Sequence, residues 1–439
     1  MKVLFLENRY KTYFWELVAS WLRQDGHEIY WIVQNHAFKP RNEVNCLVIP
    51  YPTAQEIEEV KNVEVSHRIV SSNRGLNYFD VKSPGFLHYY YGSIKAYIDE
   101  VSPNLVFGEC TQFHEMITID VCKKKGILFL HPSSCRYPRA RFSFYQYDTL
   151  VPFSGEGAKK PSHEIIEVID GIISGKSRPD YMFSTNSPSK FALLRDKVRL
   201  TIEYYKGERF NTPSPVRKYK LDKFKKKMIQ AWELLAKKEV IDKSRFNILF
   251  PLQMQPEANI DVWGYPYSNQ LEVVKKIVGA MGEGDVLYLK PNPKSKYELE
   301  PDLLKMAGLP QVEFLRHKSS TADIMPDIDL VITVTGTMTL ECILSKKPVL
   351  SFGMSIIDDQ LSYQLNTSFR TLEDDINSIR NGERAFANDD HLLLINFLYS
   401  TSFDGIIGDG LHNRVYLMNE ANIENLKASF RCVIAELQD

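Results

Sequence analysis

"LVITVTGTMTLECILSKKPVLSFG" (330–353) reads as a strand, a glycine turn, a helix and a second strand. The apolar run 330–335 ends in Thr335-Gly336-Thr337, an amphipathic helix follows over 337–346, and an apolar strand restarts at 348–353. Short all-apolar strands separated by helices belong to a parallel sheet covered on both faces. The same alternation runs upstream: strands at 246–252, 286–291 and 312–316, with helices near 268–282, 299–307 and 320–326. The N-terminal part repeats the pattern. "KVLFL" (2–6), "EIYWIV" (28–33), "CLVIP" (46–50), "NLVFGE" (104–109) and "ILFL" (127–130) are strands, and 12–25 and 113–126 are helices.

Between the two series, 136–215 shows little periodicity. The segment 218–238 is a lysine-rich helix, with Leu221, Phe224, Met228, Trp232 and Leu235 on its apolar face. It reads as a solvated helix between domains, docking on an anionic membrane leaflet being the alternative. The end of the chain is helical and polar. The expected fold is therefore α/β with two Rossmann-like domains, 1–215 and 216–385, and helices over 386–439 that cross back onto the first domain.

At 439 residues the chain exceeds one ordinary core. With 44% apolar and 25% charged residues it is globular, and a net charge of −1 supplies no field to recruit nucleic acid. The six cysteines form no CxxC pair and no metal-ligand spacing, as in reduced thiols, so no metal is expected. The start "MKVLFLENRY" is too short in apolar residues for a signal peptide. No stretch approaches the roughly 18 apolar residues of a membrane span. A cytoplasmic protein is expected, held peripherally at the inner face of a membrane if at all.

Ligands of open parallel sheets bind at the carboxyl ends of strands, where helix N-termini offer free N–H groups to anions. In the second series this rule selects Gln253 and Glu257 in "PLQMQPEAN", Lys290 and Asn292 in "LKPNPKSK", His317 and Ser319 in "RHKSS", and Thr335, Gly336, Thr337 and Glu341 in "TVTGTMTLE". Threonine hydroxyls are expected to cap the helix after Gly336, and Ser319–Ser320 the helix after His317. Gln253, Gln255, Glu257 and Asn259 alternate, as if a core strand finished with one polar face. In the first series Glu109 ends a strand, and Glu156 lies between two glycines on a loop suited to a functional carboxylate. Arg136, Arg139 and Arg141 are spaced to face an anion. No P-loop, GxGxxG, HExxH or GxSxG motif is present, which argues against P-loop ATP chemistry, hydride transfer and serine hydrolysis.

Four ordered stretches, "PSSCRYPRARFSF" (132–144), "SRPDYM" (177–182), "PLQMQPEANI" (251–260) and "TGTMTLECILSKKPVLSFG" (335–353), resemble the GT-B glycosyltransferases of capsule and O-antigen synthesis that transfer β-Kdo from CMP-Kdo. The resemblance implies two Rossmann-like domains facing across a cleft and retention of configuration. It also implies a nucleotide-sugar donor, a glycan or glycolipid acceptor, partner enzymes of polysaccharide assembly, and no cofactor or metal. Under it Glu257 is the nucleophile or ion-pair stabiliser, Glu156 the general acid/base and Glu109 the reserve base. Arg136, Arg139, Arg141 and Arg178 hold the sugar carboxylate or the acceptor. Two positions depart from the family pattern. A His-Pro step reads Asn292-Pro293, and the usual aspartate of the "PLQ" stretch is Glu257. Three other readings stay open: a transferase of another nucleotide sugar, a glycerophosphotransferase of teichoic-acid type, and a non-catalytic glycan-binding scaffold.

Overall fold

The computed structural model describes residues 1–41, 43–177, 189–236, 241–356, 363–387, 389–408 and 414–438. It divides into two compact units, one of 1–159, 178–218 and 398–439, the other of 160–177 and 219–397.

The first unit carries strands β1 (Lys2–Leu6), β2 (Glu28–Val33), β3 (Cys46–Val48), β4 (Leu105–Phe107), β5 (Leu128–Ser134) and β6 (Arg141–Gln146). Strands β7 (Asn247–Pro251), β8 (Val286–Lys290), β9 (Val312–Phe314), β10 (Leu330–Thr333) and β11 (Val349–Ser351) build the second, and β12 (Phe403–Asp404) returns to the first. The first sheet runs β12-β6-β5-β4-β1-β2-β3, the second β11-β10-β7-β8-β9. Strands β1 to β5 and β7 to β11 are paired in parallel throughout. Each sheet therefore has the doubly wound order, with its reversal between β1 and β4 in one and between β7 and β10 in the other. Two Rossmann-like domains are what the alternating pattern predicts.

The strands of both series are buried because both faces are covered by helices. Val3, Phe5, Leu105 and Phe107 form one core with Phe14, Trp15, Val18 and Leu22 of the helix Thr12–Gln24. The C-terminal helix Glu420–Ala435 packs back on this core: the Phe430 ring meets Phe144 at 4.8 Å and Phe107 at 5.2 Å. In the second unit Trp232, from the helix Pro215–Leu235, stacks on Phe314 at 4.0 Å and donates its indole N–H to the Leu315 carbonyl.

Several elements differ from the sequence reading. The stretch 136–215 contains β6 and the helices Ser162–Ile173 and Lys190–Lys206, and 160–177 belongs to the second unit. β6 was hidden because it mixes polar Arg141, Ser143 and Gln146 with its aromatics, although it is mostly buried, and runs antiparallel to β5, outside the βα rhythm. On the lysine-rich helix Leu221, Met228 and Trp232 are buried, whereas Phe224 and Leu235 remain exposed.

Candidate functional site

β7 stops at Pro251, so the alternating polar residues are not a strand face. They form a loop whose amides turn inward. The Gln253 amide N–H₂ donates to the Thr335 carbonyl and to Thr333 Oγ1 (3.3 Å), and its Oε1 accepts from Thr335 Oγ1 at 3.0 Å. One side chain thus spans the ends of β7 and β10, the two strands of the reversal point. Gln270, 3% exposed, donates to the Gln253 carbonyl (2.8 Å) and to Gln255 Oε1 (2.9 Å), and its own Oε1 accepts the Gln253 N–H (2.7 Å). Gln255 in turn donates to Asp261 Oδ1 at 2.9 Å, and Asp261 Oδ2 accepts the Glu257 backbone N–H at 2.9 Å. The chain Thr333–Thr335–Gln253–Gln270–Gln255–Asp261 satisfies polar groups that burial would otherwise penalise. Glu257 sits at its end, partly exposed, at the start of the short helix Ala258–Asp261.

The Thr335 hydroxyl is committed to Gln253 and to the Asn259 carbonyl (2.9 Å), so it does not cap the following helix. Gly336, at φ +104°, precedes Thr337–Leu344 and no side chain caps that helix. This corrects the expected threonine cap. A helix N-terminus leaves its first N–H groups without intrahelical partners and carries a partial positive charge. In its first turn the buried Thr339 hydroxyl also has no hydrogen-bond partner among the described residues. Gly353 lets the next strand pass close by, since a Cβ there would lie 2.6 Å from Thr335 Cγ2 and 2.7 Å from the Trp263 carbonyl oxygen. Glu341 is partly exposed on the same helix.

Lys290 ends β8 beside β7, opposite Pro251, and is 4% exposed; it is a buried strand-end cation, not a surface lysine. Asn292 holds its own loop: its Oδ1 accepts the Lys294 N–H at 2.8 Å. His317 is tied to Glu233, whose Oε1 meets His317 Nδ1 at 2.6 Å and its N–H at 2.9 Å. Burial works to raise the Glu233 carboxyl, and these two hydrogen bonds together with the charges of His317 and Arg316 outweigh it and hold the group below the usual carboxylate value. Of the expected Ser319–Ser320 cap it is Ser320 that accepts the Asp323 N–H, while Ser319 is buried and donates its N–H to the Arg316 carbonyl.

At the other reversal point the strand ends carry carboxylates. Glu115, fully buried, accepts from the N–H groups of Glu109 (3.2 Å), Thr111 (3.0 Å) and Gln112 (2.9 Å), from Thr111 Oγ1 and from Asn8 Nδ2 (2.8 Å). It joins the end of β1 to the end of β4. Glu7, also fully buried, accepts from the N–H groups of Arg9, Gln34 and Asn35, and its carbonyl takes a hydrogen bond from His114 Nε2 at 2.7 Å. Burial raises the Glu7 carboxyl above its ordinary value. Glu109 is raised for the same reason, with Lys11 at 3.1 Å opposing, and its side chain stays about a fifth exposed at 20%.

Glu156 and Arg141 pair with each other. Arg141, 5% exposed, contacts Glu156 at 2.8 Å and the Asp404 carboxylate, and donates to Ser402 Oγ and to the carbonyls of Ser402 and Tyr399. The anions Arg141 faces are the protein's own. Glu156 also accepts the Asp404 N–H at 2.8 Å. The glycines around Glu156 have structural reasons: a Cβ on Gly155 would lie 2.3 Å from the Ser400 carbonyl oxygen, Gly157 adopts φ +65°, and the N–H groups of Glu156 and Gly157 bond to Ser402 and Ser400. The loop is pinned rather than loose. Arg136 adopts φ +68° with its N–H on Ser134 Oγ, and Arg139 is exposed; Arg178 lies outside the described residues. Glu257 belongs to the second unit, and Glu109 and Glu156 to the first.

Sequence reasoning missed Glu7, Asn8, Asp261 and Gln270. Glu7 and Asn8 follow directly on β1 and were within reach of the strand-end rule. Asp261 and Gln270 carry no such signal, because they end one helix and start the next, and the placement of both depends on tertiary contacts.

No protein-family model matches the chain, and no curated protein matches it. Among solved structures it is similar to the UDP-GlcNAc 2-epimerase of Methanocaldococcus jannaschii, with 13% identity, 91% of this chain and 99% of that one covered, and a TM-score of 0.28. It is similar to Acinetobacter baumannii MurG, with 11% identity, 98% and 99% covered, and a TM-score of 0.28. It is also similar to the Thermosulfurimonas dismutans KpsC β-Kdo 2,7 transferase, with 11% identity, 90% and 99% covered, and a TM-score of 0.33.

Proposed function

We propose that this protein is a nucleotide-sugar-dependent glycosyltransferase that moves Kdo from CMP-Kdo, with retention, onto a bacterial surface-polysaccharide acceptor. The observation that carries the reading is the β7/β10 reversal point. There the strand ends are tied together by neutral groups, and the helix Thr337–Leu344 opens behind Gly336 with no side-chain cap. A donor phosphate suits such a place, since N–H groups and the buried Lys290 meet developing negative charge on the leaving CMP. In this reading no metal is assigned to that task. The choice of Kdo and CMP is supported by the four stretches that resemble the β-Kdo transferases.

Glu257 is the carboxylate assigned to the anomeric carbon, as nucleophile or as ion-pair partner of the developing cation. Its backbone is fixed by Asp261, so its extra methylene relative to aspartate extends from a defined origin. For the acceptor proton the assigned candidates are Glu156, as general acid/base, and Glu109 in reserve. Glu156 is engaged by Arg141 and the Asp404 N–H, and Glu109, paired with Lys11, is raised above its ordinary value by burial. Arg136 and Arg139 are the remaining described candidates for the sugar carboxylate or the acceptor.

The test combines ligand binding with turnover. CMP is expected to raise the melting temperature more than UDP or CDP. Glu257→Gln is expected to keep CMP binding and to lower transfer from CMP-Kdo, followed by NMR, by on the order of 10³-fold. Near-full transfer by Glu257→Gln removes the nucleophile assignment. Stabilisation by UDP or CDP in place of CMP moves the reading to another nucleotide sugar or to a glycerophosphotransferase.

A further inference from the structure

The helix Lys190–Lys206 of the first unit is folded with its polar side inward. Asp196 accepts the Tyr10 hydroxyl at 2.7 Å, Arg199 lies over the Phe38 ring at 5.1 Å and donates to Tyr13, and Glu203, 4% exposed, accepts the Tyr51 hydroxyl at 2.8 Å. The outward side is apolar. Phe191 is 74% exposed, Leu194 58%, Val198 51%, Ile202 49% and Tyr205 71%. At about 100° per residue these five positions fall within an arc of about 80°. Ordinary surface helices show the reverse arrangement, with the apolar stripe on the core.

The borders of this stripe are basic. On the same helical projection Lys190 and Lys197 flank one edge, and Arg195 and Lys206 the other; all four are exposed. Both acidic residues of the helix, Asp196 and Glu203, are on the inward side. We propose that this face docks on an anionic phospholipid surface, with the helix lying in the plane of the interface. The apolar arc would enter the acyl boundary, and the long basic side chains would reach sideways to headgroup phosphates. Among the described residues no helix is long and apolar enough to cross a membrane, which leaves surface docking as the geometry available to this stripe. A second copy fits less well, because a two-fold contact would set the basic edges of one stripe against those of the other. The inference rests on this helix alone and not on the glycosyltransferase reading.

Flotation of the full chain with vesicles tests it directly. Vesicles of phosphatidylcholine mixed with phosphatidylglycerol should carry the protein upward, vesicles of phosphatidylcholine alone should not, and high salt should release it. Leu194→Asp and Val198→Asp, both at exposed positions, should each lower the bound fraction by about tenfold or more. The double variant Lys190→Glu/Lys197→Glu should weaken binding to the anionic vesicles. Val44→Asp, at an exposed apolar position elsewhere in the same unit, should leave it unchanged. Circular dichroism and urea midpoints equal to wild type establish that the variants are folded. Absence of flotation, equal flotation on both vesicle types, or flotation unaffected by Leu194→Asp and Val198→Asp overturns the proposal. So does a sedimentation-detected dimer that Leu194→Asp dissolves in the absence of vesicle binding.

Discussion

Between β1 and β4 the strand ends are joined through a carboxylate, Glu115, whereas between β7 and β10 they are joined through an amide, Gln253. The strand orders on either side are the same. Glu115 collects N–H and hydroxyl donors from the loop after β4, and Glu7 collects N–H groups after β2, so carboxylates are held inside the first reversal point. Gln253 and Gln270 are neutral and match donor to acceptor among themselves and the threonines. The difference matters for a ligand. A carboxylate bracket opposes an anion, while an amide bracket leaves the positive end of the helix Thr337–Leu344 uncompensated.

Three measurements break or sharpen this contrast. The largest effect is expected for Glu115→Ala, which strands several buried donors at once. Urea unfolding of the first unit should show a loss of about 4 kcal/mol. A loss below about 1 kcal/mol would mean that the loop after β4 holds itself without the bracket. Gln253→Ala removes one amide with fewer partners and should cost the second unit about 2 kcal/mol. Gln253→Glu sets a carboxylate against the Thr335 carbonyl and should also abolish stabilisation by CMP in the proposed reading. Retained CMP stabilisation in Gln253→Glu would show that neutrality of the bracket is unimportant.

The third effect is a slope rather than a loss. Burial raises the Glu7 carboxyl above 4.5 in the folded state, so the folded protein binds a proton more readily than the unfolded chain. In the window between 4.5 and that higher value, the Glu7 contribution to stability grows as pH falls. Wild type should therefore gain stability relative to Glu7→Gln as pH is lowered from neutrality into that window. Parallel pH profiles for the two proteins would show that Glu7 does not titrate there. A Gln253→Ala profile should run parallel to wild type, because no proton is exchanged at the amide bracket.

Much of the site was legible because strand ends are legible. Apolar runs located β7, β8 and β10, and the residues at or just past their ends include Gln253, Lys290, Thr335 and Gly336. What those side chains do was not legible. The alternation of Gln253, Gln255, Glu257 and Asn259 suggested one polar strand face, but β7 ends at Pro251 and the amides turn in to Gln270, Asp261 and Thr335. Glycines around Glu156 suggested a loop suited to a functional carboxylate, and Gly155 instead admits the backbone of 400–401, more than two hundred residues away in sequence.

The amino-acid sequence by itself determined the α/β class, the two parallel series of strands and the places where ligands meet such sheets. Periodicity and turn residues are local properties, and a sheet buried on both faces leaves a plain apolar signature. Only the tertiary structure decided which polar groups are spent on one another: Arg141 on Glu156 and Asp404, Gln253 on Thr335, and Asp196 and Glu203 on Tyr10 and Tyr51. The same packing turned the helix Lys190–Lys206 apolar side out. Burial penalises each unpaired polar group, so partners are settled by what the fold brings within about 3 Å, and that is set by contacts distant in sequence.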